Sequence, residues 1–279
     1  MTLISGQLHK MYTQDTQPVS YQLELGDERI SLNALLGKKL KFSFHGAINC
    51  CHCGRKTKKS YSQGFCYPCF KKLAQCDTCI MSPEKCHYDA GTCREPEWGE
   101  KFCFQDHIVY LANSSGLKVG ITRETQVPTR WMDQGAINAL PIFRVKTRKQ
   151  SGLVEDAIRQ HTSDRTNWRN MLKGIAPDID LLAERDRLLE LAKDDIAALQ
   201  EEHGLDAIYP LHDARPFAFS YPVEAHPEKV TALNLDKTPE VEGILKGIKG
   251  QYLILDTGVL NIRKFSSYHV DLDVSDTAE

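Results

Sequence analysis

Outside residues 50–103 the chain contains no cysteine, although the 279-residue sequence holds ten. Thiols confined in this way suit metal binding, and metal-binding thiols imply a reducing, cytoplasmic setting. No apolar run approaches the ~18–20 residues that a membrane span requires. The start, Met1-Thr2-Leu3-Ile4-Ser5-Gly6, lacks the basic and apolar regions of a secretory signal. Strong charge of either sign is also missing. A net charge of −2 excludes a uniformly basic nucleic-acid binder. The average conceals a partition, however. Acidic residues are absent from Cys50 to Gln75, where six basic ones stand (Arg55, Lys56, Lys58, Lys59, Lys71, Lys72). Residues 101–173 carry twelve Lys/Arg against six Asp/Glu, and the excess of acid lies chiefly in 178–213. A basic working face on neutral or acidic scaffolding is the expectation. With 41% hydrophobic and 26% charged residues, the chain has the balance of an ordinary globular protein, long enough for one large domain or two to three small ones.

What is present begins with the cysteines. Cys50-x2-Cys53-x12-Cys66-x2-Cys69 places two CxxC knuckles a dozen residues apart, so that four thiolates can close tetrahedrally on one structural Zn²⁺. Cys51 is an alternative to Cys50 in the first knuckle. The second cluster reads Cys76-x2-Cys79-x6-Cys86-x6-Cys93-x9-Cys103-x3-His107. A second zinc needs four of these ligands, and Cys76, Cys79, Cys86 and Cys93 are the first choice, with Cys103 and His107 as alternates. Beside the first knuckles, Lys56, Lys58 and Lys59 interleave with Tyr61, Phe65, Tyr67 and Phe70, a pattern that suits phosphate contact with base stacking. It equally suits a small zinc ribbon that exposes lysines and packs its aromatics as a miniature core.

The rest of the chain sorts by periodicity into an α+β protein. Residues 1–48 alternate as strands, and residues 240–279 do so with a similar layout. Gly6-Gln-Leu and Gly243-Ile-Leu each open a strand, an alternating strand ends at a turn, and another strand follows. The termini are therefore expected to form related β-units, packed together. The cysteine module covers 49–104. Within 105–175, His107–Ala112 and Leu117–Thr122 form a hairpin around Asn113-Ser-Ser-Gly116, Thr129 starts a short helix, Pro141–Thr147 returns as a strand, and Ser151 caps a helix carrying Glu155. Residues 176–239 hold one long acidic helix, from a cap at Asp178 or Asp180 to the stop at Gly204, and then a proline-punctuated connector.

At Ile108-Val109-Tyr110 and Lys118-Val119-Gly120 the core of the chain resembles the GIY-YIG nuclease superfamily, with Arg130 at the helix arginine, Glu155 at the later glutamate and Asn167 at the asparagine beyond it. The resemblance covers about 105–170 and implies a small mixed sheet with helices. It also implies roles: Tyr110 as general base on a water, Glu155 as ligand of a divalent cation (Mg²⁺ or Mn²⁺), and Arg130 as compensator of phosphate charge. Lys118 departs from the pattern, standing where a tyrosine is expected. From about Cys50 to Gly174 the chain also resembles an uncharacterised bacterial domain family of unknown function, through Cys66-Tyr-Pro-Cys69, Gly91-Thr-Cys-Arg94, Lys118-Val-Gly-Ile-Thr-Arg123, Arg130-Trp131 and Gln134-Gly135-Ala136. That resemblance implies one site built from Arg123, Arg130, Gln134 and Trp168.

The leading expectation is a zinc-stabilised, cytoplasmic nucleic-acid-processing protein. Lys56, Lys58, Lys59, Lys118, Arg123, Gln134, Asn167 and Trp168 would hold DNA or RNA, and Tyr110, Arg130 and Glu155 would cleave it. The alternative is a non-catalytic nucleic-acid or ribonucleoprotein binding module on the same fold. The third reading is a structural adaptor for a protein partner.

Overall fold

The computed structural model describes residues 2–162 and 167–276. The first strands are β1 (Thr2–Gln7), β2 (Tyr12–Gln14), β3 (Ser20–Leu25), β4 (Glu28–Ser31) and β5 (Lys39–Ile48). The cysteine region follows with two short helices, α1 (Tyr67–Lys72) and α2 (Pro96–Phe102), joined by 3₁₀ turns. Next come the hairpin β6 (His107–Asn113) and β7 (Leu117–Arg123), then α3 (Thr129–Asp133), β8 (Asn138–Val145), α4 (Arg148–Arg159) and α5 (Trp168–Leu172). The acidic segment forms α6 (Leu181–Leu191) and α7 (Lys193–His203), followed by β9 (Ile208–Pro210) and β10 (Phe217–Ala218). The chain closes with β11 (Glu240–Lys249), β12 (Tyr252–Leu255), β13 (Gly258–Asn261) and β14 (Tyr268–Ser275). No helix among the described residues is long and apolar enough to cross a membrane.

The terminal segments share one sheet, ordered β1-β14-β5-β11-β12-β13. Its registers reveal two copies of one β-unit that exchange their first strands. Gly6 pairs with Val270 as Gly243 pairs with Leu40, and Ile4 with Leu272 as Val241 with Phe42. The bridge Leu8–Leu25 repeats as Leu245–Leu255. Leu32 N donates to Tyr21 O at 2.9 Å, as Ile262 N does to Gln251 O at 3.0 Å. The local axis passes through the paired residues Phe42 and Leu272. Gly6 and Gly243 lie inside β1 and β11 and do not open them as expected, and each sits where a side chain would collide: a Cβ at Gly6 would lie 2.3 Å from Gly26 N, and one at Gly243 2.6 Å from Asp256 Oδ1.

The central sheet runs β10-β8-β6-β7, with β9 also on β8. Strand β6 is buried along its whole length, because both of its faces are covered. Ile108, Tyr110 and Ala112 face the terminal β-units and Trp131. Val109 and Leu111 face Val154, Ile158, Leu188 and Ile196 of the helices. The order hairpin, helix, strand, helix in β6 to α4 is the one expected from periodicity.

Two local expectations are corrected. Helix α4 is capped by Thr147, whose Oγ1 accepts from Gln150 N while the Gln150 side chain accepts from Thr147 N. This reciprocal capping box outcompetes Ser151, which lies inside the helix and donates to Arg148 O at 2.7 Å. The acidic helix is two helices, broken at Ala192 (φ −96°, ψ 8°). Asp194 and Asp195 suit a fresh helix N-terminus there, and the bend keeps Leu188, Ala192 and Ile196 on one core. Asp180 and Gly204 cap and stop the pair as expected.

Candidate functional site

The sulfurs of Cys50, Cys53, Cys66 and Cys69 all lie within 4.8 Å of one another. Four sulfurs about 2.3 Å from a tetrahedral Zn²⁺ stand about 3.8 Å apart, and Cys53 Sγ and Cys66 Sγ are 3.8 Å apart. The donor set therefore fits zinc, and four thiolates close its coordination. Burial disfavours the Cys50 thiolate, but N–H groups of Cys53, Cys66 and His52 outweigh it and hold Cys50 down at about 6. Cys51 is the wrong member of its pair: its sulfur turns toward Gly64 and Ser267, and burial raises its pKa. Around the knuckles Tyr61 stacks on Phe70 at 5.6 Å and touches Tyr67 at 5.4 Å. The half-buried Tyr61 and Phe70 serve as the module's small core, while Tyr67, Lys56, Lys58 and Lys59 are exposed.

The second cluster departs from the expected set. Cys79, Cys86, Cys93 and Cys103 line one small cavity with Tyr88, Trp98 and Phe104. Cys76 does not line it and has Cys51 and Cys50 as its thiol neighbours. The reason is local. Asp77 starts a fresh 3₁₀ turn, its side chain accepting from Thr78 N at 2.6 Å, and that turn carries Cys79 away from Cys76. His107 is buried in β6 with Nδ1 bonded to Gln105 O at 2.7 Å. Burial brings its pKa down to about 4.

Between this module and the central sheet opens a cleft of about 660 Å³. Tyr110, Lys118, Arg123, Arg130, Gln134 and Glu155 all line it. Tyr110 Oη donates to Gln134 Oε1 at 2.9 Å, and Lys118 Nζ donates to the same oxygen at 2.7 Å. Gly120 explains itself here: a Cβ on it would lie 2.8 Å from the Tyr110 hydroxyl, so only glycine lets that ring lie flat across β7. Trp131 packs edge-on against Tyr110 at 5.6 Å and completes the floor.

Three basic residues of the cleft carry no sequence motif. Lys10 comes from the first β-unit, Arg263 from the second, and Arg148 from the first turn of α4. Arg148 was visible only as part of the basic excess in 101–173; the other two are brought in by the tertiary fold. Six Lys/Arg (Lys10, Lys118, Arg123, Arg130, Arg148, Arg263) thus face two acids, Asp133 and Glu155. Burial lowers the pKa of Arg148, and repulsion from Arg130 and Arg123 adds to it. Burial likewise lowers Arg263, again with Arg130 adding. Asp133 ties the wall together, accepting from Lys10 Nζ at 2.8 Å and Gln251 Nε2 at 2.9 Å.

A second cleft, of about 820 Å³, adjoins the first through Asp133 and Arg263, which line both. Lys58 and Lys59 of the zinc module, with Lys264 and Tyr252, line this one. Three expected site residues lie elsewhere. Lys56 bridges Asn49 within its own loop. Asn167 is the N-cap of α5, accepting from Arg169 N and Asn170 N. Trp168 is outside both linings but stacks at 5.6 Å on Tyr252, its link to the second cleft.

Residues 37–270 match the model of a family described as a protein of unknown function (DUF2797). The chain belongs to this family. The DUF2797 match spans both cysteine clusters, the whole central sheet and most of the second β-unit, but only β5 of the first. No curated protein and no solved structure matches the chain.

Proposed function

We propose that the paired clefts form a nucleic-acid-binding groove running from the zinc module to the Tyr110 floor. One observation carries this reading: in a chain of net charge −2, six basic side chains converge on a single cleft against two acids. Burial, with the neighbouring Arg130 guanidinium adding to it, holds Arg148 and Arg263 charged at a cost, which a bound phosphodiester would relieve. The adjoining cleft, with Lys58, Lys59 and Lys264, favours an extended polyanion over a lone phosphate.

The test is binding of a labelled single-stranded oligonucleotide across a salt series. Arg130→Glu is expected to weaken binding at least tenfold, and to flatten the dependence of log K on log salt by roughly 0.7–0.9 per lost contact. Binding as tight as the wild type's at every salt concentration would refute the reading.

A second reading, phosphodiester cleavage, is favoured by Tyr110, Arg130 and Glu155 lining the same cleft. Tyr110, oriented by Gln134, would take the proton of an attacking water, and Arg130 would balance charge on the phosphate. Glu155 would hold a divalent cation, which supplies stabilisation of the leaving oxygen. Lys118 donates to the same Gln134 oxygen and would add its positive charge beside the phosphate. Glu155→Ala is expected to abolish turnover while binding persists. Undiminished cleavage by that variant would leave the binding module alone standing.

A further inference from the structure

Between Asp77 and His107 the only buried apolar side chain is Pro83: the apolar core otherwise stops at Cys76 and resumes at Ile108. The segment nevertheless keeps a defined path through the turns Thr78–Ile80 and Pro83–Lys85, the left-handed Gly91 and the helix α2. Such a segment, almost without a core, needs another staple. Four of its thiols surround a cavity of about 20 Å³, room for one small occupant. Each thiol comes from a different local structure: Cys79 from the first turn, Cys86 just after the second, Cys93 after Gly91, and Cys103 from the end of α2.

We propose that Cys79, Cys86, Cys93 and Cys103 hold a second Zn²⁺ as a closed tetrathiolate centre, and that Cys76 stands outside it despite its CxxC spacing to Cys79. In the present side-chain arrangement it is a rival set, Asp77, Cys79 and His87, whose ligand atoms lie within 4.8 Å of one another, so the four thiols would have to draw together on the metal. Its carboxylate is already engaged: Asp77 Oδ2 accepts from Arg94 Nε at 2.9 Å and contacts His87 Nε2 at 3.3 Å, and Oδ1 takes Thr78 N at 2.6 Å. The other nitrogen of His87 bonds Thr92 Oγ1 at 2.8 Å. Both candidate ligands are occupied in bracing the loop, whereas the four thiols face the cavity.

The centre has a consequence for the cleft. Arg148 N donates to Cys103 O at 2.8 Å, and Arg148 Nη2 to Ile80 O at 2.6 Å. Gly152 of α4 sits so close to the Pro83 turn that a Cβ would lie 2.6 Å from Glu84 N. The metal-held frame thereby seats the helix that bears Arg148 and Glu155. This assignment does not depend on nucleic-acid binding, and either can fail without the other.

The test is elemental analysis of the full chain purified under reducing conditions. The wild type is expected to carry two zinc ions per chain. Cys76→Ser and His87→Ala should each retain two, and Cys103→Ser should retain one. One zinc or bound iron in the wild type, loss of a zinc from Cys76→Ser or His87→Ala, or two zincs in Cys103→Ser would each overturn the assignment. If Cys103→Ser does not fold, Cys76→Ser still decides, because it is the substitution on which the sequence spacing and the cavity disagree.

Discussion

The two exchanged β-units have matching registers, yet they contribute unequally to the clefts: Gln251, Tyr252, Asn261, Arg263, Lys264 and Tyr268 of the second line them, against Lys10 of the first. In the first unit, Tyr21, Gln22, Ser31, Asn33 and Ala34 occupy the positions that Gln251, Tyr252, Asn261, Arg263 and Lys264 occupy in the second. The first unit closes on itself. Tyr21 is buried in the core, Asn33 Oδ1 accepts from Tyr21 N at 2.8 Å, and Asn33 Nδ2 donates to Val19 O at 3.0 Å. The second unit reaches outward. Gln251 clasps both backbone groups of Met11 and the carboxylate of Asp133, while Arg263 and Lys264 face the clefts. A backbone that folds equally well with either set leaves its polar positions free to acquire a binding role. The polar wall of the clefts is thus set by side chains carried on a tolerant frame.

The comparison is broken most forcefully at the two equivalent strand glycines, Gly6 and Gly243. At Gly6 the three nearest atoms to an added Cβ are backbone atoms of Gly26 and Leu25, at 2.3 to 2.8 Å. At Gly243 the nearest two are side-chain oxygens of Asp256 and Thr257, which can rotate. Gly6→Ala is therefore expected to cost about 3 kcal/mol or more, and Gly243→Ala about 1–2 kcal/mol. Urea denaturation of both variants measures the difference. Equal costs would mean that close backbone approach is not what requires glycine in the first unit.

The next largest effect concerns Lys249, whose counterpart in the first unit is the exposed Tyr12. Lys249 is only 4% exposed, and burial lowers its pKa to about 8, with the Tyr221 ring 5.3 Å from its ammonium. A lysine whose folded pKa lies below its unfolded value of about 10.4 destabilises the fold while both states are charged. That penalty is fully present below pH 8 and disappears as pH rises from about 8 to about 10.4. Lys249→Met should thus raise stability by about 2 kcal/mol at pH 7 after loss of the ring contact. The gap to the wild type should close toward pH 10.4. A gap independent of pH would show that the charge is not the cause.

The contrast between the units also shows what a sequence can disclose. The repeat was legible in Gly6-Gln-Leu and Gly243-Ile-Leu because strand periodicity and turn glycines are local properties. The exchange of first strands was not, since pairing β1 with β14 instead of β5 changes no local preference. Tyr110, Arg130, Gln134 and Glu155 were found because they sit on adjoining elements of one small sheet. Lys10 and Arg263 were missed because they arrive from opposite ends of the chain, and charge alone does not announce its destination. Trp168 was assigned to the cleft by resemblance, and its stacking on Tyr252 places it behind the second cleft instead. Cys76 is where two cues part: CxxC spacing is local and pairs it with Cys79, whereas the turn capped by Asp77 puts Cys79 on a cavity that Cys76 does not line.

The smallest expected effect isolates the property that separates the units. Arg263→Asn installs in the second unit the residue that the first unit carries at that position. It removes one cation from the groove, so oligonucleotide affinity should fall about tenfold, equivalent to about 1.4 kcal/mol. Stability should hold or rise slightly, because repulsion between Arg263 and Arg130 is relieved. Asn33→Ala should behave oppositely. It leaves Tyr21 N and Val19 O without their side-chain partner and should cost about 1–2 kcal/mol of stability with affinity unchanged. Thermal melts and anisotropy titrations on the two variants measure both quantities. The groove is a property of the second unit's side chains if affinity tracks Arg263 and stability tracks Asn33; matched losses of both quantities in both variants would show that the units are one structural whole.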